Sequence, residues 1–252
     1  MTAKRNPSRF TTILRALALI FALSAMSYAI YFWNSVKTPI LNVLHEGAHG
    51  AQTIYIGHVD TADLSDVPRK PVPLSKVSKN MVNAIMAAED HYFYKHHGID
   101  AVGILRATID NLKQFRFVEG ASTITQQLAK NLYLDPNERS ARRKLTQLVL
   151  AWKLEDHYSK DQIMEAYLNE IYFGSGAYGV ESAAEVYFHK KTQNLSVAES
   201  AFLAGIVKAP SVLGDSKNHA QARARQRDVI DNMLEYGYIN QGEFIAAEEQ
   251  TH

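Results

Sequence analysis

Apolar residues recur at helical spacing along most of the chain from residue 78 onward, and this predicts an all-α domain over residues 76–252. The first predicted helix carries an apolar stripe that ends on a carboxylate. Its positions, at i, i+3, i+4 and i+7, are Val82, Ile85, Met86 and Glu89. Capping boxes mark two later helix starts, at Ser159 and Ser196, each with a glutamine or glutamate three residues on.

The N-terminal part of the chain has a different pattern, because Ala16–Trp33 contains no charged residue. A membrane-spanning helix needs about 20 mostly apolar residues, so we predict one at residues 13–34, after a cytoplasmic tail at residues 1–12. The cations before the run place the N-terminus in the cytoplasm and the rest of the chain outside. A cleaved signal peptide is the alternative, but the run is long for one and no clean Ala-x-Ala site ends it.

Residues 35–75 are interpreted as a juxtamembrane linker. Its best strand candidate is QTIYIGHV, and the prolines of DVPRKPVPLS prevent a helix. The stretch HEGAH, from His45 to His49, matches the H-E-x-x-H pattern of zinc proteases, which requires a helix and a third ligand. Gly47 and Gly50 weaken a helix there and no third ligand is apparent, so we predict no metal site.

Composition and charge exclude two classes of function. The formal net charge of +1 over 252 residues gives no overall basic field, so nucleic acid is not expected as a partner. The chain has no cysteine, which rules out disulfides and thiolate catalysis.

Glu89 and Asp90 are the first candidate for chemistry. They lie at a predicted helix C-terminus, where the helix dipole makes a carboxylate unfavourable. Burial on the apolar face should also raise the pKa of Glu89. Both effects suit a general acid or base. The alternative is a helix that happens to end on acidic residues.

A second candidate is the helix that follows Gly120 and Ala121. Ser122 and Thr123 are good N-caps, and a helix start presents free amides to an anion. Cations follow on and after this helix, at Lys130, Arg139, Arg142, Arg143 and Lys144. An ordinary capped helix with a solvated basic face is the alternative, but so many cations suit a phosphate-bearing ligand better.

Five segments occur in a fixed order: AAEDHYFYKHHGID, GASTITQQLAKNLYL, RKLTQLVLAWKLE, KDQIMEAYLNEIYFGSGAYGVESAAEVYF and LSVAESAFLAGIVKAPS. They resemble the signature motifs of the biosynthetic peptidoglycan glycosyltransferases. The resemblance runs from about Leu74 to the C-terminus. That family includes the glycosyltransferase domains of bifunctional penicillin-binding proteins. We expect the stand-alone, monofunctional form, since no transpeptidase domain follows.

The resemblance implies a lysozyme-like, two-lobed helical fold that polymerises lipid II, a disaccharide-pentapeptide on undecaprenyl pyrophosphate. The acceptor's 4-hydroxyl would attack the donor's anomeric carbon with inversion, and pyrophosphate would leave. The implied partners are lipid II, the growing glycan strand, the membrane and other cell-wall synthesis proteins. The domain is expected outside a bacterial plasma (inner) membrane. The apolar and basic segment Ile99–Val118 suits an amphipathic piece that touches the bilayer.

The resemblance also implies roles for individual residues. Glu89 matches the family's catalytic base, and Lys130, Arg139 and Arg143 match pyrophosphate-binding positions. The other matched substrate-binding positions are Asp90, Phe93, His96, Ser122, Thr123, Gln126, Gln127, Lys144, Glu165 and Lys208. Asn169 and Tyr172 match as well, but packing and helix capping explain them better.

Gln147 departs from the family, whose third motif, R-K-x-x-E, has a second glutamate there. Glutamine keeps the shape of that catalytic position but takes no proton. The family's carboxylate is thought to bind metal or aid the leaving group. Mg²⁺ or another divalent cation is therefore the implied cofactor, weakened here by Gln147. Two milder departures, Ala121 and His189, each replace a glycine.

Two functions therefore stay open. One is a glycosyltransferase, with activity reduced by Gln147, and the other is a non-catalytic relative that binds lipid II or protein partners. Retention of Glu89, Lys130, Arg139 and Arg143 favours the enzyme. A lysozyme-like hydrolase would also use one glutamate, but it leaves the basic cluster unexplained.

Overall fold

The computed structural model describes residues 70–100, 103, 122–135, 138 and 140–251, together with positions 23, 24, 26, 27, 30 and 31. Three predictions lie wholly or mostly outside these residues: the strand QTIYIGHV, the HEGAH motif and the amphipathic segment Ile99–Val118. Arg139 also lies outside them. The six described positions of the predicted membrane helix are helical and exposed. Among the described residues, no helix has the length and apolar character needed to cross a membrane.

The described chain is helical, as predicted. The helices are α1 (Lys79–Glu89), α2 (Ile124–Tyr133), α3 (Ala141–His157), α4 (Lys160–Glu170), α5 (Val180–Phe188), α6 (Val197–Ile206), α7 (Pro210–Leu213), α8 (His219–Glu235) and α9 (Gln241–Glu249). Short 3-10 turns lie at Leu74–Lys76, Phe93–Lys95, Thr192–Asn194 and Ser216–Asn218. Extended pairing in the described residues is limited to one antiparallel bridge between Tyr172 and Tyr178.

Hydroxyl and amide side chains begin most of these helices. Ser159 and Ser196 form the capping boxes expected from the sequence, each with its partner three residues on. A further capping box, at Asn240, was not predicted. Thr123 and Ser140 accept a backbone N–H at the starts of α2 and α3. Local sequence therefore determines where these helices begin.

The packing forms two groups of helices. In one group α6 is buried over nearly its whole length and packs against α1 and α8, as expected for a helix that is apolar on all sides. Gly205 allows the close approach of α8, because a Cβ there would lie 3.1 Å from the Arg225 side chain. In the other group α2 packs against α3 and α4. The predicted likeness of this two-lobed fold to lysozyme stays a prediction.

The stretch from Lys70 to Leu74 is attached to α4 and α5. The Asn169 side chain pairs with the backbone of Val72 through two bonds of 2.9 Å, and Lys70 bonds Glu185. Lys70, Val72 and Leu74, which precede position 76, are thus attached to the helical domain. Asn169 has the packing role that we expected.

His189 ends α5 in the left-handed conformation, at φ 53° and ψ 37°. A side chain in this conformation is strained, and glycine is the usual residue there. The glycine that the family has at this position is therefore explained by backbone geometry.

We expect His189→Gly to increase the free energy of unfolding by roughly 0.5–1 kcal/mol, because it relieves the left-handed strain. His189→Ala, which keeps the strain and loses the imidazole, is the matched control and should not be stabilised. Urea denaturation followed by circular dichroism measures both. A His189→Gly protein that is less stable than His189→Ala would contradict this explanation.

Candidate active site

Glu89 is the last residue of α1, and its carboxylate is partly buried. Gln127 on α2 donates its Nε2–H to Glu89 Oε2 at 2.6 Å. Burial raises the pKa of Glu89, and the Gln127 bond and the cations Arg225, Lys208 and Lys130 only partly offset that effect. Glu89 is therefore a stronger base than an exposed glutamate, while nearby positive charge still supports its ionised form.

Asp90 joins α1 to α2. Its carboxylate is buried, accepts the backbone N–H of Ile124 at 3.0 Å, and lies 2.8 and 3.0 Å from His96 Nε2. An acid at a helix N-terminus is favoured by free amides and by the dipole. These bonds are internal to the protein. Contact of Asp90 or His96 with substrate stays a prediction.

The part of the α1–α2 connection that directly follows α1 is held through the backbone carbonyl of Gly98. Thr123 Oγ1 donates to this oxygen at 2.8 Å and Gln126 Nε2 at 3.0 Å. Gly98 has φ 74°, and a Cβ there would lie 3.2 Å from the backbone oxygen of Ala151. Glycine avoids both the strain of the positive φ and this close contact. Thr123 and Gln126 are buried, and these hydrogen bonds are internal to the protein. Their contact with substrate stays a prediction.

Phe93 lies in the core with no exposed surface. The Lys160 ammonium lies 4.3 Å from the centre of its ring and 2.7 Å from the buried Glu155 carboxylate. Glu155 also accepts a bond from the Thr125 hydroxyl at 2.5 Å. Phe93 thus belongs to packing that supports the loop, and its predicted contact with substrate remains a prediction.

Lys130 and Arg143 of the predicted pyrophosphate site lie close to Lys144, which was predicted only as a substrate-binding residue. Burial and the charge of Arg143 lower the pKa of Lys130, and the charge of Glu89 partly opposes this. Burial and the charges of Lys130 and Arg143 lower the pKa of Lys144. None of the three forms an ion pair with a carboxylate in the described part of the chain. Such a cluster favours an anionic ligand.

Gln147 is buried, with 4% of its surface exposed, and belongs to the same cluster. Its Nε2 donates to the backbone oxygen of Gln126 at 2.7 Å, and its Oε1 accepts from Lys144 at 3.1 Å. Lys144 also donates to Ser122 Oγ at 2.8 Å and to Gln126 Oε1 at 3.3 Å. The glutamine therefore orients Lys144 without neutralising it.

The structure brings most of the predicted residues into one region. Lys130 interacts electrostatically with both Glu89 and Arg143, so the predicted base and the predicted anion site are continuous. Lys208 is exposed but close enough to Glu89 to lower its pKa. Glu165 differs, since its carboxylate accepts the backbone N–H of Leu74 at 2.7 Å. Its role toward substrate stays a prediction.

Sequence reasoning missed two residues beside Glu89. Arg225 comes from α8, far along the chain, and donates weakly to the backbone oxygen of Ala88 at 3.5 Å. Nothing in the local pattern of α8 indicates this approach. Tyr167 is fully buried on α4 and donates to Gln127 Oε1 at 3.0 Å. A tyrosine on a buried stripe needs a hydrogen-bond partner, and that was the available signal.

Comparison with known proteins identifies the family. The family model described as Transglycosylase matches residues 57–234. The chain belongs to the transglycosylase family. The family model and the ordered motifs thus agree on one group of proteins.

Several curated relatives are penicillin-binding proteins 1A. That of Rickettsia bellii is 39% identical over 232 residues, which is 90% of this chain and 29% of the relative. That of Aquifex aeolicus is 47% identical over 176 residues, 70% of this chain and 24% of the relative. That of Escherichia coli is 45% identical over 183 residues, which is 73% of this chain and 21% of the relative. The chain thus spans between a fifth and a third of the length of these relatives.

A divalent cation does not fit the donors around Gln147. A hard cation prefers several oxygen ligands, mostly carboxylates, whereas the neighbours here are the ammonium of Lys144 and other cations. Among the described residues, no group of three or more His, Cys, Asp or Glu side chains could hold a metal ion.

The raised pKa of Glu89 predicts that this residue destabilises the folded protein at neutral pH. The folded protein holds the proton of Glu89 more tightly than the unfolded chain does. The free energy of unfolding therefore falls as the pH rises from 4.5, the ordinary pKa of a glutamate, through the higher pKa of Glu89 in the folded protein. We expect Glu89→Gln to increase the free energy of unfolding at pH 7, because the amide does not ionise. Below pH 4.5 the difference should disappear. Urea denaturation at both pH values measures it.

The matched control is Glu249→Gln, at an exposed carboxylate that ends α9. It keeps the position at a helix C-terminus but lacks the burial, so it should increase the free energy of unfolding at pH 7 less than Glu89→Gln does. A Glu89→Gln protein that is less stable than wild type at pH 7 would assign Glu89 a structural role instead.

Proposed function

We propose that this protein is a peptidoglycan glycosyltransferase that polymerises lipid II outside the plasma membrane, held there by the apolar segment Ala16–Trp33. The observation that carries the proposal is the carboxylate of Glu89, whose pKa is raised by burial. It lies beside a cluster of cations that form no ion pair with a carboxylate among the described residues. Elongation of a sugar chain from a pyrophosphate donor requires both groups at one place. Lipid II, the growing glycan strand and the membrane are then its partners.

Glu89 would act on the acceptor sugar. Its carboxylate takes the proton of the 4-hydroxyl as that oxygen forms a bond to the anomeric carbon of the donor. The bond from this carbon to the pyrophosphate oxygen breaks with inversion. The proton remains on Glu89, and the electron pair of the broken bond leaves with undecaprenyl pyrophosphate.

Lys130, Arg143 and Lys144 would hold the leaving group, and Arg139 is proposed to act with them from outside the described residues. Their mutual repulsion in a partly buried place is relieved when pyrophosphate binds, and it is relieved further as negative charge develops on the departing oxygen. The cations thus supply the electrostatic part of the reaction, and Glu89 supplies the proton transfer.

A non-catalytic relative that binds lipid II is the second candidate, and Gln147 is the observation in its favour. Glutamine at this buried position leaves the cluster without the family's second carboxylate. The cations would still bind a pyrophosphate ligand in such a protein. A hydrolase is less favoured, since a polysaccharide substrate offers these cations no phosphate.

Polymerisation of purified lipid II by the full-length protein tests the role of Glu89. Glu89→Gln should reduce turnover by about 10²–10⁴-fold, the usual contribution of a general base, while lipid II binding is retained. Glu249→Gln is the control and should behave as wild type. Unchanged turnover in Glu89→Gln would exclude Glu89 as the base.

A second experiment distinguishes the enzyme from the binding relative through Gln147. Gln147→Glu adds a carboxylate within reach of Lys144, which should raise turnover and introduce dependence on divalent metal. Wild-type turnover should change little with a chelator, because its donors do not suit a metal. The measurement is polymerisation by both proteins, with Mg²⁺ and with chelator. No product in all four reactions, with lipid II still bound, would decide for the binding relative.

A further inference from the structure

Three side chains from three helices form a hydrogen-bonded chain that ends on Glu89. The Tyr167 hydroxyl, on α4, lies 3.0 Å from Gln127 Oε1, and Gln127 Nε2 lies 2.6 Å from Glu89 Oε2. Tyr167 is fully buried, so its hydroxyl has no access to water. The family roles described above assign nothing to Tyr167.

The order of donors along this chain follows from chemistry. An ionised carboxylate only accepts hydrogen bonds, so the amide of Gln127 must turn its NH₂ group toward Glu89. The Gln127 oxygen then faces Tyr167, whose hydroxyl must donate. Burial and the charges of Glu89 and Asp90 raise the pKa of Tyr167 well above 10, which keeps that proton in place.

We propose that Tyr167 is a positioning residue, whose hydroxyl holds the Gln127 amide in the orientation that donates to Glu89 and thereby sets the pH range in which Glu89 accepts a proton. Without the hydroxyl, the buried amide oxygen of Gln127 has lost its donor. The amide then keeps its bond to Glu89 and one long bond, 3.5 Å, to the backbone oxygen of Ser122. It can turn its oxygen toward Glu89, an arrangement that suits only the protonated acid.

Three cations also lie near Glu89, and their charges lower its pKa independently of the Gln127 amide. Arg225 approaches from α8, Lys208 from the turn that follows α6, and Lys130 from α2. Their charges favour the ionised acid whichever way the Gln127 amide is turned. Removal of the Tyr167 hydroxyl should therefore change the contribution of Gln127 and leave these charges in place.

The test is a titration of the Glu89 carboxyl in the full-length protein labelled with ¹³C-glutamate, with its signal assigned by loss in Glu89→Gln. In Tyr167→Phe we expect the midpoint to rise by about one pH unit, a tenfold change in proton affinity. The acidic limb of the kcat/KM profile for lipid II should move by the same amount, and activity should recover at high pH. A purely structural defect would lower activity at every pH without moving the limb.

Two further variants make the test specific. Gln127→Met removes the donor to Glu89 and should raise the midpoint at least as far. Tyr167→Phe should then add nothing in the Gln127→Met background, because it acts through the amide. The matched control is Tyr187→Phe, which deletes a hydroxyl bonded to the backbone oxygen of Phe173 and should not shift the midpoint.

An unchanged midpoint in Tyr167→Phe would overturn the proposal, as would an equal shift with and without Gln127. If Tyr167→Phe does not fold, an unchanged midpoint in Gln127→Met would overturn it instead.

The consequence for catalysis rests on the proposed function, but the titration does not. A shifted midpoint in a protein that makes no polymer would refute the proposed function alone. An unshifted midpoint in an active enzyme would refute only the role of Tyr167.

Discussion

The buried carboxylate of Asp90 is the contact on which the rest of the site depends. It accepts the backbone N–H of Ile124 and pairs with His96, and so joins the end of α1 to the start of α2. Glu89 directly precedes this anchor, and Gln127 follows it by one helical turn on α2. One buried acid therefore determines the separation between the proposed base and its hydrogen-bond donor.

Charge in this region is arranged at a cost to stability. Glu89 is buried enough to raise its pKa, and the pKa values of Lys130 and Lys144 are lowered by burial and mutual repulsion. Folding holds these groups together although each would be better solvated apart. Such conflict between local preference and the fold is typical of functional sites. It is relieved when an anion enters, which links stability to binding.

Much of the helical fold could be predicted from the sequence, because caps and apolar periodicity act over a few residues. The capping boxes at Ser159 and Ser196 are examples, and both are confirmed. The raised pKa of Glu89 was also foreseen, from its place at the end of an apolar stripe. The bonds from Thr123 and Gln126 to the Gly98 carbonyl were not foreseen, since the motif gives these residues only as substrate positions. A motif records which residues occur together but not what each one touches.

The sequence by itself determined the helix starts, the base candidate and the inventory of cations, since these depend on residue type and short spacing. Only the tertiary structure decided that Arg225, more than a hundred residues after Glu89, lies beside it, and that Tyr167 reaches it through Gln127. Those neighbours come from the packing of α8 and α4. Packing between distant helices depends on the shape of the whole core, such as the gap left at Gly205, and local periodicity carries no information about it.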